Sequence, residues 1–305
     1  MPDKLKLTIL GRGSALPSKL ANQSSQILGI HNKLMLIDCG EGTQIAIRQL
    51  DIALARLNHI FISHLHGDHI LGLPGLLSTL GMLGRKGELN IYAHAGLEKY
   101  ITQQTEFFGE DFGYPISFHP VDPFHTSTIY EDKAIKVTAF PLKHSIPSSG
   151  FIFEEKPKPL HLRKEKADQY GVPISQYLNI KNGMDYVTEE GVVVPNSELT
   201  LPADPSKKYV YCSDTAYNEK MLPLIENADC LYHEATFLSE HKLRAKETQH
   251  STAAQAAEIA RKAKVKQLII GHISARYTDF TPLLDEAKAI FKNSQLAEEK
   301  KSYWF

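Results

Sequence analysis

The chain has 305 residues, 42% of them hydrophobic and 23% charged, with 34 Lys and Arg against 35 Asp and Glu. That composition excludes a disordered, collagen-like or supercharged chain and allows one large domain or two smaller ones. The net charge of -1 leaves a nucleic-acid partner open, because such binding needs a local patch and not a basic total.

Leu5 to Leu10 places Leu5, Leu7 and Ile9 on one face and predicts a half-buried strand. Two more strands are expected at Ser25 to Gly29 and Lys33 to Ile37, joined by a turn at His31-Asn32. Glu41 to Leu50 has helical spacing, and Ile60-Phe61-Ile62 is a short apolar strand that ends abruptly in polar residues. A helix is expected from Asp68 or His69 towards Leu83, followed by a strand at Leu89 to Ala93 and a helix at Leu97 to Phe107. Strands near Ile116 to Pro120 and Ile135 to Phe140 complete the first half.

Lys156 to Leu201 is rich in Pro, Gly and Lys and has little sustained periodicity. Such a stretch inside a domain is usually functional or disordered, so residues 156–200 read as a flexible arm inserted into a single domain spanning 1–305. The second half then alternates: strand Tyr209 to Cys212, helix Asn218 to Glu226, strand Cys230 to His233, Ala-rich helix Ser251 to Ala263, strand Gln267 to Gly271 and helix Pro282 to Phe291. Residues 292–305 read as a surface tail. A block of strands followed by alternating helix and strand predicts two sheets covered by helices on their outer faces.

No apolar run reaches a bilayer span, since Ile70 to Leu83 is broken by Gly and Pro. Behind Met1-Pro2-Asp3-Lys4-Leu5-Lys6 there is no apolar stretch that reads as a secretory signal. Cys39, Cys212 and Cys230 are odd in number and form no C-x-x-C pair, which favours a reducing interior. A cytoplasmic protein without a membrane anchor is therefore expected.

Fourteen histidines are present, and several are clustered. His64-Leu65-His66-Gly67-Asp68-His69 follows the strand at 60–62 directly. In extended chain, residues two apart point the same way, so His64 and His66 can face one ion. Gly67 permits a sharp turn; Asp68 and His69 then start a helix and can address a second ion. Imidazole with carboxylate suits zinc or a similar divalent metal. Further ligand-type residues fall at strand ends: His144 after the strand near 140, Asp214 after Cys212, and His272 after Gly271. Singly each has a plain reading, and Ser213-Asp214-Thr215 alone could be a helix cap. Together they predict a metal cluster in which Asp214, with two oxygens, is the shared ligand.

The pattern H-x-H-x-D-H, a downstream His, an Asp after a strand and a final Gly-His resembles the metallo-β-lactamase superfamily. Three further segments make the chain similar to the ribonuclease Z family within it. His233-Glu234-Ala235-Thr236-Phe237 resembles that family's HEAT segment, and His250-Ser251-Thr252 its HST loop. Gly11 to Pro17 followed by Asn22 resembles its N-terminal loop, with Ala21 where the family usually has Arg. In the arm, Ile174-Ser175-Gln176 stands where many relatives have Gly-Pro.

The resemblance implies a four-layer αββα sandwich and a zinc-dependent endoribonuclease that removes the 3′ trailer from precursor tRNA. It implies that His64, His66 and His144 hold one zinc, that Asp68, His69 and His272 hold the other, and that Asp214 bridges. A homodimer is usual among relatives. Asp68 is expected to orient and deprotonate water, and His250 to protonate the leaving oxygen unless His250 only precedes a helix cap. Glu234 either orients His250 or is a buried structural carboxylate. Lys156, Lys158, Arg163, Lys164 and Lys166, with Lys181, either grip phosphates or form a solvated lysine-rich loop. The rival reading keeps the fold and changes the substrate to a small phosphodiester, a thioester or a lactone.

Overall fold

The computed structural model describes residues 5–109 and 111–305, so Met1 to Lys4 of the opening segment lie outside the described residues. Runs rich in Ile, Leu, Val and aromatic residues set the longer strands. In chain order the strands of the first half are β1 (Lys6–Gly11), β2 (Ser25–Ile30), β3 (Lys33–Cys39), β4 (Leu57–Phe61), β5 (Leu89–Ala93), β6 (Ile116–Pro120), β7 (Ser127–Glu131), β8 (Ile135–Leu142) and β9 (Ser148–Glu155). Four two-residue strands follow: β10 (His161–Leu162), β11 (Tyr186–Val187), β12 (Val193–Val194) and β13 (Thr200–Leu201). The last five are β14 (Lys208–Cys212), β15 (Cys230–Glu234), β16 (Leu268–Gly271), β17 (Ser294–Leu296) and β18 (Ser302–Trp304).

Two seven-stranded sheets result, in the orders β18-β1-β2-β3-β4-β5-β6 and β17-β16-β15-β14-β9-β8-β7. The first is antiparallel from β18 to β3 and parallel from β3 to β6. In the second, β14 to β17 are parallel. Parallel neighbours need long crossovers, which the helices Thr43–Gln49, Leu73–Met82, Leu97–Phe108, Ala253–Lys262 and Thr281–Ile290 provide.

The period of two along each strand separates the layers. Phe61 on β4 meets Phe151 and Phe153 on β9 at ring distances of 5.8 and 5.2 Å, so the two sheets pack face to face. Their neighbours in sequence point outward: Ile60 joins the cluster of Leu73, Leu76 and Leu77, and Ile152 that of Val210, Ala256, Ala257 and Ala260. Helices thus cover both outer faces, and the αββα sandwich is the fold. Each fully buried Phe of the inner layer contributes roughly 1.5–3 kcal/mol. Among the described residues no helix is long and apolar enough to cross a membrane.

Four local expectations give way. Residues 292–305 are not a tail: β17 and β18 close one edge of each sheet, with Tyr303 buried. The helix expected from 68 to 83 is two, Gly67–Ile70 and Leu73–Met82. They divide at Gly72, where an added Cβ would lie 2.0 Å from the Gly40 carbonyl oxygen. The helix expected at 218–226 is a 3₁₀ turn, Glu219–Met221, followed by one turn at Leu222–Ile225 whose first residues include Pro223.

Fourth, the segment predicted to be a flexible arm is folded. The chain divides into two compact units, one of residues up to Tyr130 with Val137–Phe153 and Lys208–Phe305, the other of Glu131–Lys136 with Glu154–Lys207. The second unit has its own core of Ala167, Val172, Ile180, Val194 and Leu199, with Tyr170, Tyr177 and Tyr186 packed on it. Its helices, Lys164–Gln169, Tyr177–Lys181 and Asn196–Leu199, are too short to print a periodic pattern in the sequence.

Candidate metal centre

Strand β4 ends at Phe61, and His66, still extended, precedes the next helix; His64 Nε2 and His66 Nδ1 are brought within 3.0 Å of each other. Gly67 makes no left-handed turn; it opens the short helix Gly67–Ile70, whose first turn carries Asp68 and His69. Backbone contact seats this helix on the end of β3: a Cβ on Gly40 would lie 2.4 Å from the Asp68 carbonyl oxygen, and the Gly72 N–H donates to the Cys39 carbonyl at 2.9 Å. His144 and Asp214 follow β8 and β14, and His272 follows β16 in the left-handed region at φ 55°.

All seven predicted ligands converge. His66 Nδ1 lies 3.0 Å from His64 Nε2 and 3.2 Å from His144 Nε2. Asp214 Oδ2 lies 3.6 Å from both His64 Nε2 and His144 Nε2. Its other oxygen, Oδ1, lies 3.4 Å from His69 Nε2 and 3.2 Å from His272 Nε2. Asp68 Oδ2 completes the second group, 3.4 Å from His69 Nε2 and 3.3 Å from His272 Nε2. Ligands about 2.1 Å from a tetrahedral ion stand about 3.4 Å apart, so both groups have the spacing of a coordination shell.

Hydrogen bonding alone leaves this cluster unsatisfied. His69 Nε2 and Asp214 Oδ1 are buried and make no hydrogen bond among the described residues, although they are 3.4 Å apart. The remote ring nitrogens set this pattern. His144 Nδ1 donates to the Gln249 carbonyl at 3.0 Å, and His69 Nδ1 donates to Asp38 Oδ2 at 2.8 Å. Both rings therefore use Nδ1 for these bonds and aim Nε2 into the cluster, the nitrogen a metal ion would take in place of a proton. Thr236 Oγ1 lies 3.0 Å from His272 Nδ1 and gives its own proton to Glu234 Oε2, so the same tautomer follows for His272.

Charge agrees. Burial depresses the pKa values of His64, His66 and His144 and keeps those rings neutral. Around His69 the balance reverses. Burial opposes a charged ring, yet Asp214, Asp68 and Asp38 together push its pKa well above the ordinary value. Burial likewise opposes ionisation of Asp214 and Asp68, and the neighbouring rings nevertheless hold both well below the usual carboxylate range. Three buried carboxylates around one imidazole form a site that calls for cations. The residues present fit a pair of divalent metal ions.

Asp38 is the functional residue that sequence reasoning missed. It is fully buried on β3 with φ 56°, accepts from Ser63 N–H at 2.7 Å on Oδ1, and accepts from Tyr211 O–H at 2.6 Å, Ser63 Oγ at 2.9 Å and His69 on Oδ2. Burial, then the Asp38 charge, raise the Tyr211 pKa far above its usual value, so the phenol stays a donor. The one available signal was an Asp-Cys-Gly ending on a strand.

His250 and Glu234 meet beside the ligands. Glu234 is fully buried; its Oε1 accepts from His250 Nδ1 at 2.8 Å and Thr215 N–H at 3.0 Å, and its Oε2 from Thr236 N–H at 3.1 Å. Burial opposes a charged His250, but the Glu234 charge and hydrogen bond prevail and push it up to about 9. The His250 ring lies 5.0 Å from that of His144 and 5.4 Å from that of His272. Helix capping falls to Thr252, which forms a capping box with Gln255, and His250 takes no part in it. A cleft of about 380 Å³ opens over the centre, lined by Ala15, Gln23, Asp68, His144, Asp214 and His250 among others.

The predicted phosphate grip is unevenly placed. Lys156 pairs with Glu131 at 2.6 Å and Lys158 with Glu155 at 3.1 Å. Lys166 reaches Gln169 at 3.1 Å, and Arg163 and Lys164 are exposed. The whole second unit carries nine Lys and Arg against eleven Asp and Glu, so only the run at 163–166 is locally basic.

Residues 5–157 match the family described as anti-Pycsar protein Apyc1, and residues 195–273 match the beta-lactamase superfamily domain. A Bacteroides fragilis protein named ribonuclease Z is 50% identical over 297 residues, covering 97% of this chain and 98% of that protein. One of the same name from Parabacteroides distasonis is 53% identical over 293 residues, 96% of each. Among solved structures the chain is similar to human tRNase Z, short form, at 26% identity and TM-score 0.72 over 98% of both chains. It shares its fold with the metallo-beta-lactamase fold protein YhfI from Bacillus subtilis, at 19% identity and TM-score 0.69 over 99% of this chain and 100% of that one. With similarity of that degree over nearly its full length, the chain belongs to the ribonuclease Z family of the beta-lactamase superfamily.

Proposed function

We propose that the chain is a metal-dependent endoribonuclease that removes the 3′ trailer from precursor tRNA, leaving a 3′-hydroxyl on the tRNA and a 5′-phosphate on the trailer. The observation that carries this reading is Asp214, whose two oxygens each face a separate group of imidazole and carboxylate donors under an open cleft. The donor set supports two zinc ions per chain. His64, His66 and His144 would hold one, Asp68, His69 and His272 the other, with Asp214 shared. Ions held there would lower the pKa of water and neutralise charge building on the phosphate.

The protein's own residues do the rest. Asp68, held ionised, orients the attacking water and accepts its proton. As the water oxygen bonds to phosphorus, the bond from phosphorus to the 3′-oxygen breaks in line. His250, kept charged by Glu234, gives the departing oxygen its proton. Arg163, Lys164 and Lys166, helped by Lys156 and Lys158, add phosphate contacts that raise affinity without reading sequence. The three cysteines are free and buried, which supports a cytoplasmic protein. Exposed Ile45, Met82 and Leu83 on and beside two neighbouring helices support a homodimer, to be checked by sedimentation.

Incubating the protein with a 3′-extended tRNA, with and without chelator, and mapping both product ends tests the reading. A single metal-dependent cut at the trailer junction is expected. Turnover of a thioester, a lactone or a small phosphodiester, with the tRNA left intact, would overturn it.

A further inference from the structure

The loop from Gly11 to Gln23 forms one wall of the catalytic cleft, to which it contributes Ala15 and Gln23. Its base is tied to the metal centre: Ile273, next to His272, donates its N–H to the Arg12 carbonyl at 3.0 Å and accepts from Ser14 N–H at 3.2 Å. Beyond that base, Gln23 Nε2 donates across the loop to the Ala15 carbonyl at 2.9 Å and Asn22 Nδ2 to the Leu10 carbonyl at 3.2 Å, while the tip stands open. Leu16 and Leu20 are 69% and 51% exposed, and the tip turns on the Ser18 hydroxyl, which caps the Leu20 and Ala21 amides. An outside group that grips the neck below this tip sets where both legs stand.

We infer that Glu299 is a positioning residue for substrate, holding both legs of this loop through one carboxylate oxygen. Glu299 Oε1 accepts from Asn22 N–H at 2.6 Å on the outgoing leg and from Arg12 N–H at 3.4 Å on the ingoing leg. The legs also bond to each other, Gly13 N–H donating to the Asn22 carbonyl at 2.8 Å, so the carboxylate clamps a closed neck. The same C-terminal segment holds the Arg12 side chain. Its Nη1 donates to the Ala297 carbonyl at 3.0 Å, and its guanidinium lies 4.3 Å from the centre of the Phe280 ring. Arg12 is thereby consumed in structure, which leaves Lys19 as the loop's cation for meeting a phosphate.

Glu299 itself is fixed by the sheet. It sits between Ala297, whose N–H bonds the Ile270 carbonyl at 2.8 Å, and Lys300, whose N–H bonds the Ile9 carbonyl at 2.8 Å. The clamp is therefore anchored in both sheets, on the strands that lead to the loop and to His272. A charge-assisted bond to a backbone amide is stronger than a neutral one, and a loop held in its bound shape costs less to order when substrate arrives. Loss of the clamp should appear in substrate binding and spare the chemistry.

The inference rests on the reading of the protein as a tRNA-processing nuclease, and wild-type cleavage in the same assay tests that reading separately. Glu299→Ala, Glu299→Asp and Glu299→Gln are compared with wild type on 3′-extended tRNA and on bis(p-nitrophenyl) phosphate. Asp keeps the charge but falls short of the 2.6 Å contact; Gln keeps the acceptor oxygen. Expected are a roughly five- to tenfold higher KM for the RNA in Ala and Asp, with kcat, metal content and small-substrate turnover unchanged, and recovery to within about twofold in Gln. Faster hydrogen exchange at the Arg12 and Asn22 amides should accompany the rise in KM. An unchanged RNA KM in both Ala and Asp, or a parallel loss on both substrates, would overturn the assignment.

Discussion

Asp38→Asn changes one atom and should disable one of the two ion sites selectively. The Asp38 side chain accepts four hydrogen bonds, one on Oδ1 from the Ser63 amide and three on Oδ2 from Ser63 Oγ, Tyr211 and His69. In the variant the amide oxygen must stay opposite the Ser63 N–H, which can only donate. The new NH₂ then faces Tyr211, Ser63 Oγ and His69 Nδ1. Two hydroxyls can rotate to accept, but His69 can accept only by moving its proton from Nδ1 to Nε2. That proton occupies the lone pair aimed at Asp214 Oδ1 and Asp68 Oδ2. Replacing the partner of a metal-bound histidine costs roughly 10- to 100-fold in metal affinity, or about 1.4–2.8 kcal/mol. Competition with a chelating dye should show the Asp68–His69–His272 ion weakened by that factor while the His64–His66–His144 ion keeps its affinity. Wild-type affinity at both sites in a folded Asp38→Asn protein would refute the tautomer argument.

Other substitutions probe the remaining roles. Asp214→Asn should leave one bound ion per chain or fewer, as measured by elemental analysis. His250→Ala should keep its metal yet lose roughly 10²- to 10⁴-fold in kcat on precursor tRNA; full-rate cleavage would remove His250 from the chemistry. Because the His250 pKa is raised to about 9, the proton donor is present below that pH and lost as pH rises through it. In Glu234→Gln burial prevails over the missing charge, so the alkaline limb of the kcat–pH profile should move down to or below the ordinary histidine value of about 6.5. Replacing Arg163, Lys164 and Lys166 with Ala should make log KM less steep in log salt by roughly 2–3. Deleting residues 156–200 should raise the KM for precursor tRNA and spare bis(p-nitrophenyl) phosphate; equal loss on both would contradict a docking role.

Much of this centre was legible in the sequence because metal chemistry is chemically narrow. Four ligand-type residues within six positions rarely gather except around a cation, and His144, Asp214 and His272 stood at strand ends where ligands collect. Asp38 was not legible, since its role depends on β3 lying beside β4 and on a tyrosine 173 positions away. The edge strands β17 and β18 escaped for a related reason. Each has three residues, too few for a period, and β18 finds its partner at the other end of the chain. The break at Gly72 follows from its close approach to Gly40, a contact between segments that no local pattern announces. The second unit was misjudged because its elements are short and its core is assembled from single apolar residues dispersed among polar ones.

The central claim is that seven side chains gather two cations on which RNA cleavage depends. Titrating zinc into fully demetallated protein, while following cleavage of 3′-extended tRNA, tests it most directly. Activity should be absent at the start, rise with added metal and reach its plateau at two equivalents per chain. Cleavage at the full rate without metal, or a plateau at one equivalent, would contradict it.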